Sequence, residues 1–599
     1  MTGILRNPMR NPMRNPMRSA LVAAILGIYT GITPAFTASV TTGVAPLAVF
    51  IDASGTTAGS TSHAWRDCLF GHDSGDTASG NYTYGTCAGQ SKRKVVGAAQ
   101  YGHVYETPGT YTYTGSVWDG VGYVKRQITV VVQDPDVVFS GTNTICCSTS
   151  GNFTGAPAGA SLQTVANLAA ALAFLASGKR VLLQTANAWS TAASYFMSGT
   201  KDNMVLGAFG GGRAVVTMTT TSAVFTLNSS TISRLQIRDI EFNGSSVASR
   251  FVLAATGHDI TGTHLHNIYA YDTASLYTTS GTNLARNLSI SNCRLDRVKG
   301  GGGNVGIFVC STNFILMDSI VDDATAAEHN IRFQYLGKGY IGGVTALNCA
   351  PTKHVLTIRN PSWAGGSTVN VPAGTYTEYV TVSDCKFASN TSYITSISSA
   401  DATVDARTRR VIFERNYVYA LGTTASVGFA VSGFENISRN NVYNMSGGAL
   451  YVLGMSMINN TAFTADGNQS WNDTMYSSSA HTEANTFGAA TGISTNNRVI
   501  NALQYTPSAT TAKTLNDQSL PSTTASNNTS NANAKALNPL FVGPLTGIAG
   551  FALDTSSPYA TNAALERNYS DALSKIRVSN GGAHMLASTA TSAWDLFGP

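Results

Sequence analysis

Acidic residues crowd one stretch of this 599-residue chain: Asp318, Asp322, Asp323 and Glu328 fall within eleven positions. Glycoside hydrolysis needs two carboxylates held roughly 5–9.5 Å apart, one as acid and one as base or nucleophile. These four are the candidate catalytic residues, although no motif selects a pair among them. Just downstream, "EHNIRF" from Glu328 and "KHVLTI" from Lys353 share a pattern that sets His329 and His354 25 residues apart. If both blocks are strands at the same place in successive turns of a repeat, the two histidines stack. Alternation then sends Ile331, Phe333, Leu356 and Ile358 to a core, and Arg332, Gln334, Thr357 and Arg359 outward. The histidines point inward or sit at the corner where the strand begins. The outward stripe, with Glu328, Glu378 and Trp363 near it, is the candidate surface for binding or cleaving a polysaccharide. The plainer alternative is a histidine stack beneath a solvated polar face. Tyr269, Tyr271, Tyr277 and Trp363 supply rings that could stack on sugars or simply pack at the rim.

What must position these groups is a repeat. An apolar-x-[Asp/Asn/Gly]-x-x-apolar template recurs as "IRDIEF" from Ile237, "ITGTHL" from Ile260, "ISNCRL" from Ile290 and "LMDSIV" from Leu316. It continues as "VSDCKF" from Val382, "FERNYV" from Phe413, "ISRNNV" from Ile437 and "INNTAF" from Ile458. The starts lie 21 to 31 residues apart, apart from one gap of 66 that "IRFQYLGKGYIGGVTAL" and "HVLTIR" fill. A period of roughly 20–30 residues with short β-rich units is a solenoid signature. Asn, Asp and Gly at fixed places suit turns that take left-handed backbone. The pattern resembles the right-handed parallel β-helix class, whose pectate-lyase-type members carry acidic residues and arginines on one outer sheet. We place this solenoid at residues 201–500. Ahead of it, residues 135–200 read as a linker with a capping helix, because Leu162, Val165, Leu168, Leu172 and Leu175 recur at helical spacing before Gly178. Behind it, residues 501–599 leave the repeat and read as a coil and cap.

Residues 33–134 alternate apolar and polar positions between Gly, Pro and Asp, as short antiparallel strands do. "GVAPLAVFIDASGT", "HVYETPGTYTYTGSVWDG" and "ITVVV" resemble a PKD domain, an immunoglobulin-like β-sandwich, with a degraded form of that family's Trp-containing segment in "AWRDCLFGHDSGD". The resemblance implies an exposed spacer or adhesion module with no reaction of its own. The expected fold class is therefore all-β: a PKD-like sandwich, a short capping helix, then a parallel β-helix solenoid.

The first 32 residues are of another kind. Residues 6–18 read "RNPMRNPMRNPMR" and repeat Arg6, Pro8, Met9, Arg10, Pro12, Met13, Arg14, Pro16, Met17 and Arg18 on a four-residue period. Proline at every fourth place forbids a helix and favours an extended arm. Its four arginines carry nearly all of the net charge of +5, so the body is near neutral and offers no broad basic face for nucleic acid. The apolar run at residues 20–29 behind it is too short to span a membrane and resembles a signal peptide, but a cut after Ala35 or Ala38 would remove part of the first sandwich strand. Charged residues are only 12% of the chain, which suits an extracellular or virion β-protein. No Cys/His group has zinc spacing and no glycine loop has the phosphate-binding pattern, so neither metal nor cofactor is expected. The eight cysteines allow a Cys68–Cys87 disulfide or read as small buried hydrophobes. Together, arm, sandwich and solenoid resemble phage tailspike and fibre proteins. That resemblance implies an arm docked on phage structural proteins, a spacer, a homotrimer, and a solenoid facing host surface polysaccharide. The alternative is a secreted bacterial β-helix polysaccharide lyase, hydrolase or adhesin.

Overall fold

In a computed structural model, the described residues cover most of the chain from 31 to 505, with short breaks and a longer one at 360–374, plus two strands at Ala525–Ser526 and Thr529–Ala534. The Arg-Asn-Pro-Met arm, Trp363, Cys87 and most of residues 501–599 lie outside the described residues.

The larger body is a parallel β-solenoid of 43 strands, from Thr144–Ser148 to Thr529–Ala534. Most strands pair with one two to four places further along, so the chain winds through three parallel sheets. One sheet stacks Thr231–Arg238, His264–His266, Ser289–Ser291, Phe314–Met317, Gly339–Gly342, Glu378–Ser383 and Arg409–Glu414. A second runs from Ile240–Asn243 through Tyr269–Tyr271, Arg294–Asp296, Ile320–Ala324, Thr345–Cys349 and Lys386–Ser389 to Tyr417–Ala420. The third includes Ser275–Thr279, Ile307–Thr312, Ile331–Leu336, Leu356–Arg359 and Tyr393–Ser398. One continuous core fills the space between them, with Ile237, Phe242, Leu265, Ile290, Leu316, Phe333, Val382 and Phe413 buried in it.

The recurring Asn/Asp/Gly marks the corner between the first two sheets. Asp239, Asn267, Asn292, Asp318, Gly343, Asp384, Arg415 and Asn440 all have φ between 47° and 67°. Asn and Asp tolerate this left-handed backbone because their short side chains bond locally. From Asp239 to Arg415, the backbone amide of each bonds to a carbonyl one turn on, as in Asp239 to His266 at 3.2 Å and Asp318 to Gly342 at 3.0 Å. The motif reading is corrected at two places, while "INNTAF" from Ile458 lies outside the described residues. "ISRNNV" is framed one residue early, since Phe413 pairs with Ser438 and the corner is Asn440. "ITGTHL" belongs to a different corner, with Gly262 beside Arg234 and Asn287, and the equivalent residue in that turn is Asn267. The solenoid also begins inside the stretch read as a linker, since Thr144–Ser148 pairs in parallel with Arg180–Gln184. The helix spacing there is right only in part. Leu162 lies on the strand Ser161–Thr164, and the helix is Leu168–Leu172, with the Asn167 side chain accepting from Ala170 N at 3.0 Å.

Among the described residues the smaller body has two main sheets and a two-stranded one that pairs Ile32–Thr33 with Thr57–Ala58. Leu47–Asp52 pairs antiparallel with Gln100–Tyr105 and Thr37–Ala38. The other sheet orders Thr42–Val44, Tyr123–Gln133, Gly109–Trp118, Leu69–Asp73 and Lys94–Gly97. Val49, Ile51, Tyr101, Tyr113 and Val130 from both sheets share one core. Cys68 is a free, buried thiol, pushed up to about 12 by burial and by Asp119 and Asp67.

This module is not a spacer set in line with the solenoid. It lies against the first sheet, and its core takes in Ile315, Met317 and Tyr340 from that sheet. Gly102 makes the close approach possible, because a Cβ there would stand 2.9 Å from Tyr340 Cδ1 and 3.1 Å from Ile315 Cγ2. Polar contacts extend along the seam: Thr381 Oγ1 donates to Gln100 Oε1 at 3.2 Å, and Lys338 pairs with Asp52. Glu414, buried, accepts from Ala98 N at 3.2 Å and pairs with Arg439 at 2.6 Å and Arg415 at 3.1 Å. Arg415 in turn donates to Val96 O at 2.8 Å and grips Asp384 with two bonds of 2.9 Å. Burial pushes the Glu414 carboxyl up, but Arg415 and Arg439 outweigh it and hold it below its ordinary value.

Candidate functional site: an accessible sheet with two tyrosine pairs

The structure separates the candidates. Asp318 is a fully buried corner residue beneath the sandwich, not a surface acid. Asp322 is on the second sheet and accepts from Asn348 Nδ2 at 2.9 Å. Asp323 takes left-handed backbone at the next corner. Glu328 precedes the third sheet and is shared by Arg332 at 3.4 Å and Lys353 at 3.3 Å. Four acids within eleven residues thus occupy successive sides of one turn and form no facing pair.

The 25-residue register is present: Ile331, Arg332 and Phe333 pair with Leu356, Thr357 and Ile358. His329 and His354 stack two residues ahead of these strands, ring centroids 5.2 Å apart, with His354 N donating to His329 Nδ1 at 2.9 Å. Burial drives both imidazoles down, His354 to about 3, so both are neutral at pH 7. The stripe beside them is not solvated. Arg332, Gln334 and Thr357 are buried, with Arg332 Nη2 donating to Gln334 Oε1 at 3.1 Å and its guanidinium 5.4 Å from the Phe308 ring. Burial, with Arg332 nearby, lowers Arg359 to about 10. Glu378 is not part of this group. It opens a strand of the first sheet and pairs with Arg409 at 2.7 Å. Tyr277 is also core, fully buried.

The second sheet brings partly exposed residues into rows, Tyr269, Tyr271, Lys386 and Tyr419 among them, although Asp296, Ala388 and Tyr417 in the same rows are buried. Its outward positions form two register columns, separated by core residues Phe242, Ala270, Leu295, Val321, Ala346, Phe387 and Val418. One column reads Glu241, Tyr269, Arg294, Ile320, Thr345, Lys386, Tyr417. The other reads Asn243, Tyr271, Asp296, Asp322, Leu347, Ala388, Tyr419. Tyr269 and Tyr271 are neighbours, with centroids 5.1 Å apart, and so are Tyr417 and Tyr419 at 5.2 Å. The pairs stand five rungs apart, about 24 Å at roughly 4.8 Å per rung.

Each ring is held. Tyr271 donates to Glu241 Oε1 at 3.2 Å, and Arg297 lies 5.1 Å from its ring centroid while gripping Asp272 with bonds of 3.0 and 2.9 Å. Arg294 lies 5.7 Å from the Tyr269 ring and donates to Asp296 at 2.6 Å. Lys386 is 5.2 Å from the Tyr419 ring, and Tyr417 OH accepts from Asn444 Nδ2 at 3.0 Å. Burial pushes the phenols of Tyr269, Tyr271, Tyr417 and Tyr419 upward, so all four are neutral at pH 7. The result is a strip of three half-buried rings, Tyr269, Tyr271 and Tyr419, with the more deeply buried Tyr417 beside the last of them and ion pairs between. Such rings stack on the C–H faces of sugars, and the flanking charges bond hydroxyls. Sequence reading found the first pair; the second was missed because its register with the first crosses the 66-residue gap.

No protein-family model matches the chain, and no curated protein matches it. Among solved structures, it is similar to the tailspike protein of E. coli bacteriophage HK620 in complex with a pentasaccharide, with a TM-score of 0.40 and 10% identity over 68% of this chain and 82% of that one. It is similar to the A-module of Azotobacter vinelandii mannuronan C-5 epimerase AlgE6, with a TM-score of 0.37 and 11% identity over 59% and 90%. A third is the catalytic domain of a GH87 alpha-1,3-glucanase in complex with nigerose, with a TM-score of 0.30 and 11% identity over 83% and 97%. Identities near 10% carry no residue roles across. Among the described residues, no helix is long and apolar enough to cross a membrane.

Proposed function

We propose that this chain is a phage virion spike or fibre protein that binds host surface polysaccharide along the second sheet of its solenoid and attaches to the particle through its Arg-Asn-Pro-Met arm. The observation that carries the binding half is the pair of tyrosine doublets in shared register, a strip long enough for several consecutive sugars. The sandwich, read as PKD-like, covers the first sheet and leaves this one for the ligand. The arm, with one Arg and one Met per unit, suits a partner that offers acidic groups and apolar pockets. A homotrimer belongs to the same reading. Affinity electrophoresis through gels cast with purified bacterial surface polysaccharides tests it. One polymer of the panel retards the protein, and retardation is lost in the variant with Tyr269, Tyr271, Tyr417 and Tyr419 all replaced by Ala. Equal mobility of the two proteins in every gel would refute the binding half.

A second reading, hydrolysis on the same strip, is favoured by Asp296 and Asp322, which occupy neighbouring rungs of one column. That places their backbones about 4.8 Å apart, compatible with a carboxylate pair. Release of reducing ends from the retained polymer, abolished by Asp322→Asn, would establish it; binding without release leaves adsorption alone.

A further inference from the structure

A cavity of about 500 Å³ opens where the sandwich meets the solenoid, on a different side from the tyrosine strip. This lies within the roughly 300–1,000 Å³ range of small-ligand pockets. Its apolar wall includes Val40, Leu47 and Ile315, and its polar wall includes Gln236, Asn287 and Asn313. Asn313 Nδ2 donates to Asn287 Oδ1 at 3.0 Å. This leaves the Asn287 amide donor and the Asn313 carbonyl oxygen to face a ligand. Gln236 Nε2 is fixed by Val44 O at 2.9 Å and Pro46 O at 3.2 Å, while its buried Oε1 accepts no hydrogen bond among the described residues.

The cavity is electrically quiet. Arg234, its guanidinium, is closed by Asp202 through Nε at 2.7 Å and through a second bond from Nη2. His264 is buried and lowered to about 4 chiefly by burial, with Nδ1 donating to Pro46 O at 3.2 Å and Nε2 accepting from Ser291 Oγ at 2.8 Å. Among the described lining residues, Arg234 is already paired with Asp202 and no carboxylate is present. The geometry points to a second binding site, separate from the tyrosine strip, for a short uncharged oligosaccharide. The hydroxyls would serve the Asn287–Asn313 amides, and the C–H faces would lie on Val40, Leu47 and Ile315.

The test is saturation-transfer NMR on the full chain with maltotriose, cellotriose and N,N′-diacetylchitobiose as probes. At least one probe should receive saturation. The signal should fall at least tenfold in Asn287→Gly/Asn313→Gly, where glycine keeps the left-handed backbone that both positions require (φ 51° and 53°). It should also fall in Val40→Trp, which fills the cavity from the sandwich side. No transfer to any probe, or transfer unchanged in both variants with wild-type melting temperatures, overturns the proposal. Gel retardation of the wild type by polymer is read in parallel. Probe binding without retardation removes only the strip reading, and retardation without probe binding removes only this one.

Discussion

Tyr271 and Tyr419 stand in one register column of one sheet, 148 residues apart in sequence and five rungs apart in space. Each has a second tyrosine two positions before it on the same face. The spacing belongs to the solenoid, not to a loop, so the strip is rigid before any ligand arrives. If both pairs touch one glycan, Tyr271→Ala and Tyr419→Ala should each weaken polymer binding by about 0.5–1.5 kcal/mol, roughly two- to thirteenfold. Tyr277→Ala, in the core, should instead lower the melting temperature. Affinity electrophoresis and calorimetry separate the two outcomes.

The seam between sandwich and solenoid sets a second expectation. Gly102→Val drives a side chain into Tyr340 and Ile315, and should loosen the docked module. Glu414→Ala leaves Arg439 and Arg415 buried around a missing carboxylate, an arrangement that typically costs about 3–5 kcal/mol. Hydrogen exchange should rise first in Gly339–Gly342 and Gln100–Tyr105. Unchanged exchange there would mean the seam contributes little.

A pH effect follows from Glu106. Its carboxyl lies 3.4 Å from His266 Nε2 and is raised to about 7, chiefly by burial and then by Asp76, Asp318 and Asp239. His266 is held well below its usual range, chiefly by burial and then by His264, Arg238 and Arg213, so it brings no charge at that pH. A raised carboxyl binds its proton more tightly in the folded chain, so its contribution is complete below about pH 4.5 and is lost as pH rises through about 7. Glu106→Gln should flatten melting temperature against pH between about 4.5 and 7 and raise it above pH 7. A slope identical to wild type would count against the assignment.

His329 and His354 act in the opposite direction. Both are lowered, so the stability they give is present above about pH 6.5 and is lost as acid protonates them, His354 near 3. His329→Asn retains an acceptor for His354 N and should make the acid limb of unfolding shallower without lowering stability at pH 7. Circular dichroism against pH reads both quantities.

Much of this was legible in the chain itself. The Asn/Asp/Gly period gives the solenoid because left-handed corners restrict residue type, and the 25-residue spacing of His329 and His354 gives a true register. What could not be read was which outer face stays accessible. Arg332 and Gln334 have the parity of surface residues, yet they are buried. Asp318 lies beneath a module whose docking depends on the absence of a side chain at Gly102, a signal indistinguishable from any turn glycine. The tyrosine doublets carry the reverse lesson: ordinary rim residues in sequence become a site only when the register across residues 350–380 is known.

The arm carries its own prediction. Deleting one, then two, Arg-Asn-Pro-Met units should reduce incorporation into particles stepwise while leaving the melting curve unchanged, measured by immunoblot of purified particles. Full incorporation after removal of all three would end the anchor reading.

The most direct measurement of the central claim is hydroxyl-radical footprinting of the full chain with and without the retarding polysaccharide. Binding along the strip should protect Tyr269, Tyr271 and Tyr419 together, with buried Tyr417 labelled weakly and buried Tyr277 silent in both states. Labelling of those first three unchanged while the polymer is bound would contradict it.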